Sequence, residues 1–142
     1  MAKLGKISAD TTAFFLCDMQ EKFRPVTRYF PEVLAAASQL VQTSKLLNVP
    51  LIVTEQAHVC IEQTALDLLS LGKTVHIVAN ATSSRSQEDR LLAFDRLRQV
   101  GCFISTCESI IFKLVQDKNH PDFNAVRQIV RDPTLYTGLT SC

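Results

Sequence analysis

The chain has 142 residues and a mass of 15.8 kDa, the size of one domain rather than two. Apolar residues make up 46% and charged residues 20%, a globular balance with enough material for a buried core. Fifteen Lys and Arg stand against 14 Asp and Glu, which leaves no broad basic footprint for nucleic acid or anionic membrane. No apolar run approaches the roughly 20 residues that span a bilayer. Met1–Asp10 lacks the apolar core of a secretory leader and the arginines of a mitochondrial presequence. Five cysteines (17, 60, 102, 107 and 142) form an odd, irregularly spaced set without a C-x-x-C pair. That pattern argues against a disulfide framework or a structural zinc site and for free thiols in a reducing compartment. The expected location is therefore intracellular, in the cytoplasm or the mitochondrion, with no metal and no cofactor.

Apolar runs and helical patterns alternate along the chain. Ala13–Cys17, Pro50–Thr54, Val75–Ala79 and Cys102–Thr106 are continuous apolar runs of the kind that suits parallel strands covered on both faces. The first helical pattern carries Val33, Leu34, Ala37, Leu40, Val41 and Leu47, with Pro31 at a first-turn position and Asn48 as a left-handed stop. A second carries Ile61, Ala65, Leu68 and Leu69 and closes at Gly72. Ser86 with Asp89 resembles a capping box opening a third helix, with Ala93, Leu97 and Val100 on one face and Gly101 at its end. Ser105 with Glu108 predicts a second such box, opening a helix through Ile111, Leu114 and Val115. A last helix starts near Pro121. Residues 1–10 and 133–142 read as loose ends of a single domain, 1–142. The alternation defines an α/β fold with a parallel sheet, in which ligands bind at the carboxyl ends of the strands.

Those ends gather the polar residues. Asp18 closes the first strand, where partial burial tunes a carboxylate. Cys60 begins a helix shortly after the second strand, and the N–H groups there favour a thiolate. The alternative for Asp18 is a turn cap, and for Cys60 a buried structural thiol. Cys17 and Cys102 lie within strands and read as core. Cys107 also sits near a helix start, without an acidic strand-end companion. His58 is a pocket donor or a ligand, but His-x-Cys alone does not make a zinc site. His76 reads as a satisfied core histidine and His120 as a surface residue. In Ser83–Ser86, Ser84 offers a hydroxyl and Arg85 a guanidinium to an anion, although capping needs only one of these serines. The charge run from Gln87 to Arg98 reads as the solvated face of a helix.

Taken together, Cys-Asp-Met-Gln-Glu-Lys-Phe-Arg at 17–24, Val-Thr-Glu-Gln at 53–56, Ala-His-Val-Cys at 57–60 and Ala-Thr-Ser-Ser-Arg-Ser at 81–86 resemble the isochorismatase-like cysteine hydrolases. The likeness is strongest to the animal isochorismatase domain-containing proteins and covers nearly the whole chain. The resemblance implies a Rossmann-like three-layer fold, a six-stranded parallel sheet between helical layers. It implies Asp18 as acid/base and Cys60 as nucleophile, with Gln20, His58, Ser84 and Arg85 contacting a small-molecule substrate.

One departure is large. In the family a long segment with the catalytic Lys and two further strands separates the Thr-Glu-Gln strand end from the Cys. Here Gln56 runs directly into Ala57, as in a splice-variant-like internal deletion. Asn80 also stands where relatives carry Asp. Lys22, four residues after Asp18, is a weaker stand-in for the missing Lys, and Glu55 would oppose an oxyanion. The family sheet extends from its first strand in both directions, so the deletion removes one edge strand and one central strand. Either the strand at 51–55 moves into the vacated centre, or it stays and a gap opens beside the first strand. Each buried unpaired backbone group in such a gap costs about 1–3 kcal/mol. The expected outcome is a truncated, marginal fold, rescued by a homo-oligomer or a protein partner, with catalysis weak or absent. A purely non-catalytic interaction module is the competing reading.

Overall fold

In the computed structural model, residues 4–17, 21–54 and 60–131 are described. Each of the four apolar runs contains a short strand: β1 (Phe14–Cys17), β2 (Leu51–Thr54), β3 (His76–Val78) and β4 (Phe103–Ser105). The helices are α1 (Phe30–Leu47), α2 (Cys60–Ser70), α3 (Gln87–Gln99), α4 (Cys107–Val115) and α5 (Phe123–Ile129). Pro31 lies in the first turn of α1 and Asn48 ends it at φ 54°, as the sequence predicts. Gly72 and Gly101 supply the left-handed turns after α2 and α3. Ser86 caps α3 by accepting from the Asp89 N–H at 3.3 Å.

Three local expectations need correction. The cap of α4 is Thr106, which accepts from the Ser109 N–H at 3.3 Å, one residue later than the Ser105–Glu108 box. The buried stripe of α3 is Arg90, Phe94 and Leu97, whereas Val100 is half exposed. The charge run is therefore not wholly solvated, because Arg90 is buried within it.

The four strands form two separate parallel pairs, β1–β2 and β3–β4, rather than one ladder. This is the second of the two arrangements expected after loss of a central strand: β2 stays beside β1, and a gap opens on the other side of β1. Helices still form layers on either side. Ile77 of β3 packs with Ala65, Phe94 and Leu97 beneath α2 and α3. Val78 turns to the opposite face, toward the clusters built by α1, α4 and α5. The β3–β4 pair is thus covered on both faces.

Across the gap, α1 and α4 form the tie. Ala36 of α1 packs with Cys107, Ile111, Val115 and Val126, and Phe14, Leu40 and Val78 all pack against Val49 and the α4 residues Ile110 and Leu114. The other face of β1–β2 is bare: Phe15 is 41% and its register partner Ile52 43% exposed. A cavity of about 710 Å³ lies between the pairs, walled by β1 and β3, with α1 on one face and α2 on the other.

Candidate active site

The carboxyl ends of the strands gather on one edge, and the connections beyond them are tied together. The chain leaves β1 through a 3-10 turn (Glu21–Val26), and the Arg28 N–H donates to the Ser84 carbonyl at 3.2 Å. Ser83 Oγ donates in return to the Arg28 carbonyl. The connections after β1 and β3 therefore meet across the gap. Ser84 is half-buried and engaged through its backbone, Arg85 is exposed, and Ser86 is used as the α3 cap. Two of the substrate-contact candidates, Ser84 and Arg85, thus share one loop on the expected edge.

Cys60 is the first residue of α2, a helix of 11 residues. At this position the backbone N–H groups of the first turn lack intrahelical partners and favour an anion. Asp18, Gln20 and His58 lie outside the described residues. Their nearest described neighbours are informative: Cys17, which precedes Asp18, and Ile61, which follows Cys60, line the same cavity.

Two of the other thiols, Cys102 and Cys107, are poor nucleophiles. Burial pushes the Cys102 thiol above its ordinary value. Cys107 is fully buried, and burial, with a further push from Glu108, raises its thiol to about 12. Its Sγ donates to the Ala36 carbonyl at 3.3 Å and approaches Gln39 Oε1 at 3.5 Å. No group of three or more His, Cys, Asp and Glu among the described residues could hold a metal ion.

Two residues at this edge have structural roles that motifs alone do not assign. Asn80, buried just past β3, accepts the Cys107 N–H on Oδ1 at 2.8 Å and so fastens the end of β3 to the start of α4. Arg90 donates from Nε to the Thr82 carbonyl (2.8 Å) and from Nη2 to the Ala79 carbonyl (2.9 Å), holding the post-β3 loop from below. Spacing carried a signal for Arg90, since it lies four and seven residues before Phe94 and Leu97. His76 also differs from expectation. Its ring stacks on Phe103 at 5.0 Å, but both nitrogens are buried without a hydrogen-bond partner. It is a core histidine, but not a satisfied one.

The sequence matches the Isochorismatase domain family over residues 56–109. It is 35% identical to the isochorismatase domain-containing protein 2A of Mus musculus, with 99% of this chain and 92% of that protein covered. A solved structure described as a MAR1 ribonuclease from Caenorhabditis elegans superposes with a TM-score of 0.92 at 29% identity, covering 96% of this chain and 98% of the other. The YcaC gene product of Escherichia coli, described as an octameric hydrolase of unknown specificity, shares the fold at a TM-score of 0.76 and 14% identity, with coverage of 92% and 91%. The chain belongs to the isochorismatase domain-containing family. The alignment with the mouse protein runs over 190 positions although this chain has 142 residues, so at least 48 positions of that relative face no residue here.

Proposed function

We propose that this chain is an isochorismatase-like cysteine hydrolase with Cys60 as nucleophile and Asp18 as acid/base, and that its turnover is weak or absent. The observation that carries the site is the shared cavity: Cys17 and Ile61, the immediate neighbours of the two residues, line its wall. In the proposed step Asp18 takes the Cys60 proton and the thiolate adds to the carbonyl carbon of a small amide. The C–N bond then breaks as the amine takes the proton from Asp18. Water, deprotonated by Asp18, cleaves the thioester and frees the thiol.

Weak turnover follows from what the deletion removes. The positions absent relative to the mouse protein are attributed to one excision at the Gln56–Ala57 join, which takes out the family Lys segment. The gap beside β1 supports this, and so does the family match beginning at residue 56. Loss of even one preorganised oxyanion donor costs roughly 10²–10³ in rate. Ribonuclease activity is not carried over from the nematode protein, because a net charge of +1 offers little attraction to a phosphate backbone. Intracellular residence is proposed on the thiols, since Cys17, Cys102 and Cys107 are all free.

The test is a panel of small amides and vinyl ethers with Cys60→Ala as blank, alongside rate-resolved alkylation with peptide mapping. The expected result is turnover near the blank, with Cys60 labelled before Cys102 and Cys107. Robust turnover lost in Cys60→Ala would refute the impaired reading and direct attention to Lys22. Faster labelling of Cys102 would show that the thiol site is not formed. The competing reading, a non-catalytic interaction module, is favoured by the strand edges along the cavity, which no strand among the described residues pairs.

A further inference from the structure

We propose that the slot between β1 and β3 accepts one apolar β-strand from another polypeptide, which completes the sheet in trans. This does not depend on whether Cys60 turns over a substrate.

The backbone register sets the demand. Phe14 N–H donates to the Pro50 carbonyl at 2.8 Å, so Phe14 and Leu16 bond β2. The N–H and C=O groups of Phe15 and Cys17 then turn the other way, into the slot. Across it, the Phe103 N–H donates to the Val75 carbonyl at 2.9 Å, so Val75 and Ile77 serve β4 and His76 and Val78 turn toward the slot. The Val78 carbonyl is taken by Thr82 Oγ1 at 2.9 Å. Among the described residues, no strand pairs with these two facing edges.

A hydrocarbon ligand would fill the volume but leave the edge groups without partners, and those groups make the occupant a polypeptide. Both walls of the slot are strand edges, with α1 on one face and α2 on the other, so a strand lying between them would pair on both sides. Its side chains are apolar on both faces, since Leu40 of α1 and Ala65 of α2 look into the slot from opposite sides. Its length is set by the walls, four residues in β1 and three in β3. The family relationship points the same way: the mouse relative carries at least 48 positions this chain lacks, so the slot is a place that a longer family member has chain to fill. A second copy of this chain has no spare strand among its described residues, as all four are already paired.

The experiment uses the whole chain and a synthetic probe, a fluorescent peptide with a short Val/Ile run flanked by lysines. One control is N-methylated at alternate residues of the run, and a second carries Asp in the middle of the run. Binding is read by anisotropy, and amide hydrogen exchange locates it. The expected result is saturable binding, slowed exchange at Phe15, Cys17 and His76, and at least tenfold weaker binding for both controls. Equal binding of the N-methylated peptide would overturn the proposal, because simple apolar adhesion needs no backbone donors. So would protection confined to Ile52 and Val53 on the outer strand, or slow exchange at Phe15 and Cys17 before peptide is added. Concentration-dependent dimerisation with the same protected amides would overturn it in favour of a second copy.

Discussion

The β3–β4 pair and the β1–β2 pair are built from similar apolar runs, yet they are buried very differently. Ile77 on β3 is 6% exposed, whereas Ile52 on β2 is 43% and Val53 63% exposed. The difference lies in the helix layers, not in the strands. α2 and α3 cover one face of β3–β4 while α1, α4 and α5 cover the other, and on that face Phe14 of β1 joins Leu40 of α1 and Ile110 and Leu114 of α4 in one cluster. A parallel strand needs cover on both faces, and apolar composition alone cannot provide it.

The sharpest way to break this comparison is a matched pair of substitutions. Ile77→Ala should cost about 2–5 kcal/mol of unfolding free energy, the range for a large-to-small change in a packed core. Ile52→Ala should cost less than about 1 kcal/mol, because half-exposed positions leave little cavity behind. Urea titrations of both proteins check this, and equal losses would show that β2 is buried in solution. A smaller effect sharpens the account of why β3–β4 is the firmer half. Asn80→Ala should cost about 1–3 kcal/mol by leaving the buried Cys107 N–H without an acceptor. Asn80→Asp, which keeps an acceptor, should lose less in the same titration.

The smallest effect concerns pH. Burial, with a contribution from Lys113, holds the His76 imidazolium below its ordinary 6.5. As pH falls below 6.5 the unfolded chain takes up this proton before the folded one does. Stability from His76 is therefore full above 6.5 and declines below it. Thermal melts of the parent and His76→Phe between neutral and mildly acidic pH should diverge, with the variant flatter. Parallel curves would mean that the ring reaches water through the slot.

Much of the architecture was legible in the chain. The apolar runs contain all four described strands, and Asn48, Gly72, Gly101 and Ser86 mark helix ends for local reasons of backbone geometry and capping. The gap beside β1 was one of two arrangements that the family resemblance left open, since no local signal tells a strand that its neighbour is missing. Other features were hidden because they depend on packing. Thr106 and Ser105 are both able to cap α4, and the sequence does not decide between them. Arg90 reads as solvated until its hydrogen bonds to the Thr82 and Ala79 carbonyls are seen. For the candidate site, the strand-end rule led to the edge where Ser83 and Ser84 meet Arg28, whereas the hold of Asn80 on α4 needed coordinates.

The separation into two parallel pairs also bears on how the chain folds. Each pair is joined by its own crossover, β1 to β2 through α1 and β3 to β4 through α3, so each is a contiguous βαβ unit. Closing either unit takes a modest loop, and no ladder has to wait for strands distant in the chain. The units meet through side-chain packing of α1 and α4 and through the Arg28–Ser84 loop bond, without shared ladder bonds, so their cooperativity rests on few contacts. Folding then consists of two local nucleation events followed by docking, and the unit that α2 and α3 clasp is the one able to persist while the other opens.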